Sequence, residues 1–392
     1  KPATDWAWTA PARLSGGLIQ VRATDSAGEV WTAASAYRVG APGPAVKPGT
    51  DWPVESGTPD NRRGSADPVA PPLRLAWATP VGGRVNPPVV AGGRVFVTAS
   101  SQDFETNSAV VCLDAMTGKE LWRTKLSRTV NCAPAVTAGV VGVLDQFGHV
   151  LGFDARSGGA PLWSTEGVSG AYGPQYGESG KITAADGIFY AGDSHPVEAK
   201  TGRRPWVSPS GGAIAVTAVG GGRVFTAGQE SVFCLNAKDG TVLWKTNQYN
   251  YLPAVLVGDL AITSSSEIYN AADGTKLRVS GLSRSGIPGA VSRDGKLLIG
   301  LLDTFLAAAV NLADGTQLWR TDLARIGFAG PVTIAGEYVW APMRDNSLRA
   351  YGLKDGKQAW SLKLGPLPTT PAASGNALFV AAGGCVYALA GD

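Results

Sequence analysis

The chain has 392 residues, 44% hydrophobic and 17% charged, with 52 glycines and 26 prolines; this suits a large core cut by many turns and predicts an all-β protein. A net charge of +3 without any run of Lys or Arg argues against a nucleic-acid partner. The most apolar stretch, 297–312, is interrupted by Asp303 and is no transmembrane helix.

The first 40 residues carry a hairpin pattern: Leu18–Thr24, a turn at Asp25–Gly28, then Val30–Val39. Forty residues cannot bury a core of their own, so residues 1–40 are expected to be the last strands of a β-sandwich belonging to an upstream domain. They resemble the C-terminal β-segment of bacterial calcineurin-like phosphoesterases. Residues 41–72 form a linker, rich in Pro and Gly over 41–50, and a lead-in containing Asp51-Trp52-Pro53 and Asn61-Arg62-Arg63-Gly64. The pairs Arg62–Arg63 and Arg203–Arg204 read as solvated surface.

From residue 73 to 392 one pattern recurs. Asp114–Trp122 (DAMTGKELW) returns as Asp154–Trp163, Glu198–Trp206, Asn236–Trp244, Asn270–Arg278, Asn311–Trp319 and Leu353–Trp360, at intervals of 41, 43, 38, 34, 41 and 41 residues. That period fits one four-stranded sheet. Each copy ends a strand in a polar residue, turns on a Gly suited to positive φ, and resumes toward a Trp whose ring is sized to pack between sheets. Leu73–Pro80 has the outer-strand pattern without the strands before it, and 370–389 has three strands without the outer one. Together they make an eighth sheet, so the predicted fold is an eight-bladed β-propeller closed by an N-terminal strand, with no exposed blade edge inside the ring. A typical repeat reads 133–137, 140–144, 149–154 and 161–164 for strands a to d. The a-to-b and c-to-d turns then share one face, and the b-to-c and d-to-a loops share the other. Cys112, Cys132, Cys234 and Cys385 lack a C-x-x-C spacing or an adjacent pair. Cys112 and Cys234, equivalent in separated repeats, read as small buried hydrophobes.

The repeated A-x-D/N-x-x-T/D-G-x-x-x-W, the D-W-P lead-in and the eight-fold count resemble the PQQ-like (pyrroloquinoline quinone repeat) propeller family over about residues 51–392. The resemblance implies the fold, and it leaves three functions open, because this scaffold serves quinone-dependent dehydrogenases, an outer-membrane assembly lipoprotein and secreted binding modules. In a dehydrogenase it would imply adjacent cysteines over the quinone and a Glu/Asn/Asp set around calcium. No Cys-Cys occurs here, and no calcium set aligns to particular carboxylates.

The expected reading is therefore a non-catalytic module for a glycan, a peptide or a protein partner, monomeric, with no cofactor. It would belong to a larger secreted or cell-envelope bacterial protein, fused to a metallophosphoesterase domain. Pyrroloquinoline quinone with calcium enters only under the dehydrogenase alternative. The ligand is expected on the b-to-c and d-to-a face, at Asp103, Glu105 and Asn107 of the longest loop, and at Tyr172, Gln175 and Tyr176 near the channel. Tyr249, Tyr251, Arg284, Arg344 and Asp345 join them from other blades, since rings stack on apolar faces while polar groups fix orientation. His149, Asp193 and His195, on b-to-c turns of consecutive blades, belong to the same ligand set. His149 and His195 with Tyr172 also give a second enzymatic alternative, a polysaccharide lyase or hydrolase using an acid–base pair. Gly192-Asp193-Ser194-His195 resembles a metallophosphoesterase motif, but two histidines in the whole chain cannot build a two-metal centre.

Overall fold

The computed structural model describes residues 16–24, 30–38, 43–100, 108–166, 181–191, 195–209, 218–227, 231–246, 255–263, 267–279, 282, 289–303 and 305–392. The hairpin pattern near the N-terminus is a hairpin, β1 (Gly16–Thr24) antiparallel to β2 (Val30–Arg38), in a sheet of its own. Eight further antiparallel sheets make the propeller. Blades 1 to 7 lie in chain order at 84–126, 135–164, 182–198, 218–246, 255–279, 290–322 and 333–363. Blade 8 combines 372–390 with β3 (Arg74–Pro80), which pairs along Cys385–Ala390; an ion pair of Arg74 with Asp392 lies at the same closure.

Blade 3 departs from the predicted four strands, having three: 182–185, 188–191 and 195–198. The outer segment is still held by Glu198 N–H to Arg203 O at 2.8 Å. Pro205 immediately precedes Trp206 and has no amide to give to a ladder.

The tryptophans are the seams of the ring. Trp77, Trp122, Trp163, Trp206, Trp244 and Trp319 each donate the indole N–H to a main-chain carbonyl in the c-to-d turn of the next blade. The acceptors are Ala115, Ala155, Ala199, Ala237, Ala271 and Leu353, at 2.8–3.3 Å. The turn glycine of that next blade lies flat on the ring. A Cβ at Gly118, Gly158, Gly202, Gly240, Gly274 or Gly356 would come within 2.4–2.7 Å of the preceding blade's indole. These glycines therefore answer two demands, a left-handed backbone and ring contact, and no other residue meets both.

Inside each blade the tryptophan sets its cross-strand neighbour. Opposite Trp122, Trp163, Trp244, Trp319, Trp360 and Trp77 stand Cys112, Gly152, Cys234, Ala309, Ala350 and Ala388, all small. Opposite Arg278, the one outer position without an indole, stands the buried Ile268. Volume is conserved across the pair, as close packing requires. This accounts for Cys112 and Cys234, which with Cys132 and Cys385 are free and buried.

The lead-in 51–69 fills the centre of the ring. Innermost strands have one edge facing the channel, and unpaired amides there are costly once water is excluded. The lead-in supplies acceptors in order around the circle. Val90 N–H bonds Trp52 O, Val136 bonds Pro53 O, Val219 bonds Pro59 O, Leu256 bonds Asp60 O, Val291 bonds Arg62 O and Ile334 bonds Arg63 O, all at 2.8–2.9 Å. In blade 8 the Gly375 amide donates to the Asp67 carboxylate at 2.8 Å. Gly64 passes so close to blade 6 that a Cβ would sit 2.6 Å from Val291 O. The D-W-P and R-G elements are thus channel-filling residues.

The pairing of ring and small neighbour is testable by a double-mutant cycle. Arg278→Trp alone should overpack against Ile268 and destabilise by about 1–3 kcal/mol, and adding Ile268→Ala should recover most of that loss. Urea midpoints at unchanged slope are the readout; additive effects would show that the two positions do not share volume.

Candidate functional site

Two places on the described molecule gather chemistry. The first is a cavity inside the channel, between the lead-in and blade 3. It is lined by Glu55, Ser56, Asn61, Arg63, Lys181 and Thr183, with about 10 Å³ open to the centre of a water molecule, which is room for one water-sized body. Arg63 is fully buried, contrary to the solvated surface expected for the arginine pair. The reason is local: Asn61 and Arg63 adopt positive φ of 68° and 56°, Arg63 N–H bonds Ser56 O at 2.9 Å, and the side chain turns into the channel. Arg62 points elsewhere, pairing with Asp60 at 2.7 Å. The Arg63 Nη1 reaches Asn61 O at 3.4 Å, while Nε and Nη2, and the Thr183 hydroxyl, have no partner. Burial lowers the guanidinium's pKa and the Glu55 carboxylate raises it in opposition, but an arginine keeps its proton in a protein. Glu55 pairs with Lys181 at 3.3 Å.

The second place is the b-to-c and d-to-a face of blade 2. Asp145, nearly closed to solvent, accepts the Phe147 and His149 amides at 2.8 and 2.9 Å, which folds the Asp145–His149 turn around its carboxylate. His149 Nδ1 lies 2.9 Å from Asp145 Oδ2 and 2.7 Å from Arg128 Nη1, and Arg128 also reaches Asp145 at 3.1 Å. Phe147 stands over this cluster with 57% of its surface exposed. The Arg128 guanidinium is 5.9 Å from the ring centroid, and the His149 ring meets it edge-on at 6.5 Å. An exposed aromatic with a cation on one side and an imidazole on the other is a surface for stacking and hydrogen bonding. Arg128 and Phe147 were not read from the sequence; the one signal was a large aromatic in a turn otherwise rich in polar residues and Gly.

Of the residues singled out by sequence, Asp103, Glu105, Asn107, Tyr172, Gln175, Tyr176, Asp193, Tyr249, Tyr251 and Arg284 lie outside the described residues. His149 is on the expected turn, though its imidazole is engaged with Asp145 and Arg128. His195, expected in a turn, is the first residue of the third strand of blade 3, paired with Ala191. Arg344 and Asp345 sit on the b-to-c turn of blade 7, where they hold the turn together. Arg344 Nε bonds Phe328 O at 3.1 Å. Asp345 accepts from Ser347 and pairs with Arg349 at 2.8 Å and Lys363 at 3.1 Å. Partial burial works against its charge, yet the bonds from Ser347, Lys363 and Arg349 outweigh this and hold the carboxyl well below the ordinary range.

Burial pushes the thiols of Cys112, Cys132 and Cys234 up to about 12 and that of Cys385 to about 11, so none is a nucleophile at neutral pH. Among the described residues no group of three His, Cys, Asp or Glu could hold a metal.

The family model described as outer membrane protein assembly factor BamB matches residues 17–196, 195–275 and 264–392. No curated protein matches the sequence. A europium-containing methanol dehydrogenase superposes with a TM-score of 0.64 at 13% identity, covering 85% of this chain and 89% of its own. BamB from Moraxella catarrhalis gives 0.62 at 15%, covering 81% and 100%. Quinohemoprotein alcohol dehydrogenase from Comamonas testosteroni gives 0.66 at 14%, covering 87% and 80%. At such identities the likeness is one of fold.

Asp345 supplies a pH test. Its folded pKa lies below the unfolded value of about 3.9, so its stabilisation is present above that value and is lost as pH falls toward the folded one. Asp345→Asn should lower the urea midpoint at pH 7, with the gap to wild type closing steadily below about pH 4. A gap that does not change with pH would show that the charge of Asp345 is not what holds the turn.

Proposed function

The chain belongs to the family described as outer membrane protein assembly factor BamB, a family of PQQ-repeat propellers, and from that premise we propose that it is a non-catalytic binding module. Its partner is a polypeptide or a glycan, held on the b-to-c and d-to-a face. The carrying observation is the lead-in that fills the channel, which leaves recognition to the loop face. There Phe147 is exposed yet fixed, because buried Asp145 locks its turn and Arg128 and His149 flank the ring. Aromatic anchors with an arginine beside them dominate binding at protein interfaces, and the same ring suits the apolar face of a sugar.

A quinone dehydrogenase is the second reading. The cavity beside Arg63 could not hold its cofactor, since a site for a ligand of that size has about 300–1,000 Å³ and this one has room for one water-sized body. For polysaccharide cleavage the described residues offer one element, His149 held through Nδ1 by Asp145. We place the module in the cell envelope or outside the cell on the strength of the family's description. No helix among the described residues is long and apolar enough to cross a membrane. The hairpin β1–β2, a sheet separate from the blades, is proposed as the edge of a neighbouring unit, for which a metallophosphoesterase domain is the candidate.

Two measurements decide between these readings. Thermal unfolding with saturating pyrroloquinoline quinone and calcium should leave the midpoint unmoved, and a rise would restore the dehydrogenase. Calorimetric titration against strand peptides of alternating apolar residues and against oligosaccharides should find a ligand whose affinity drops about tenfold, roughly 1.4 kcal/mol, in Phe147→Ala. Leu162→Ala, on the outer strand of blade 2, should bind as wild type; an equal loss in both variants would refute the loop face.

A further inference from the structure

The lead-in meets blade 3 differently from its neighbours. Inner strands of blades 1, 2 and 4 to 7 give it main-chain amides. Among the described residues, blade 3 meets it through the Glu55–Lys181 ion pair and the cavity beside Arg63. Three charged groups line that cavity. One carboxylate, Glu55, faces two cations, Lys181 at 3.3 Å and the fully buried Arg63, so the charged groups of the lining carry a net positive charge. The Arg63 Nε and Nη2, and the Thr183 hydroxyl across the cavity, are buried donors without acceptors. Buried charge in excess of its counter-charge is unfavourable. A water there would accept two of these bonds but leave the charge unmatched. The space admits one water-sized body, too little for a phosphate or for the body of an organic acid.

We infer that this cavity is a halide site, taking chloride between Arg63 and Thr183 and so joining the lead-in to blade 3. Arg63 Nε and Nη2 donate from one side and Thr183 Oγ1 from the other. The anion completes around blade 3 the circle of contacts that main-chain bonds make elsewhere. This is independent of any partner on the loop face.

The test uses the whole chain at constant ionic strength, replacing sodium gluconate by sodium chloride. Chloride should raise the thermal midpoint in a saturable way, and crystals soaked in bromide should show an anomalous peak between Arg63 and Thr183. Arg63→Met should abolish the chloride dependence. Thr183→Val, which removes one donor and keeps the shape, should weaken it by about fivefold and carries the test if Arg63→Met does not fold. Equal midpoints in the two salts together with no bromide in the cavity would overturn the site. A bromide peak confined to exposed lysines would be an adventitious ion only, and would overturn it as well.

Discussion

Everything in this ring rests on an indole lying across a glycine of the next sheet. A propeller blade is a small antiparallel sheet with apolar residues on both faces, and on its own it would leave each face wet. Six seams solve this in the same way: the ring of one blade's outer strand covers the next blade's turn and spends its single N–H on that turn's carbonyl. The bond fixes the angle between sheets and the ring excludes water from it. Repetition of one contact, in place of one large core, is how a chain with 17% charged residues buries an apolar interior sheet by sheet.

The second constraint comes from the middle. Short inner strands leave main-chain amides facing the axis. Here six blades give one to a lead-in carbonyl and blade 8 gives one to the Asp67 carboxylate. The geometry separates two tasks that propellers often combine at the axis. The centre of this one is committed to structure, and the loop face carries the exposed aromatic and ionic groups. Asp145 and Asp345 show how that face is kept in shape: each buries or half-buries a carboxylate under amides and cations at the entrance to a c strand.

The repeat made the architecture legible. Gly and Trp recur because each seam demands both, so blade count, strand order and the closure by Arg74–Pro80 could be read from their spacing. Composition cannot show what is not periodic. Arg63 looks like half of a surface pair because nothing in Asn61-Arg62-Arg63-Gly64 announces that positive φ at Asn61 and Arg63 turns Arg63 to the axis while Arg62 bonds Asp60 and Leu256 O. Pro205 was visible, but its effect, the loss of a fourth strand in blade 3, depends on which amide the ladder needed. Alternation of strands puts the b-to-c turns of blades 2 and 7 where the repeat pattern expects them. How those turns are held is not legible, because the geometry around Asp145 and Asp345 is set by side-chain bonds that no period encodes.

The lead-in has one more consequence, and it concerns time. It precedes every blade in the chain, yet Asp67 bonds Gly375, 308 residues later, and Asn376 bonds back to Ala45 across 331. On a ribosome the central segment emerges first and waits for its last neighbour until the final blade has been made. Contacts of such sequence separation slow folding, and the half-made ring would hold open amides and uncovered indoles until the two ends met. Closure of a circle wound around its own lead-in therefore waits for the last blade.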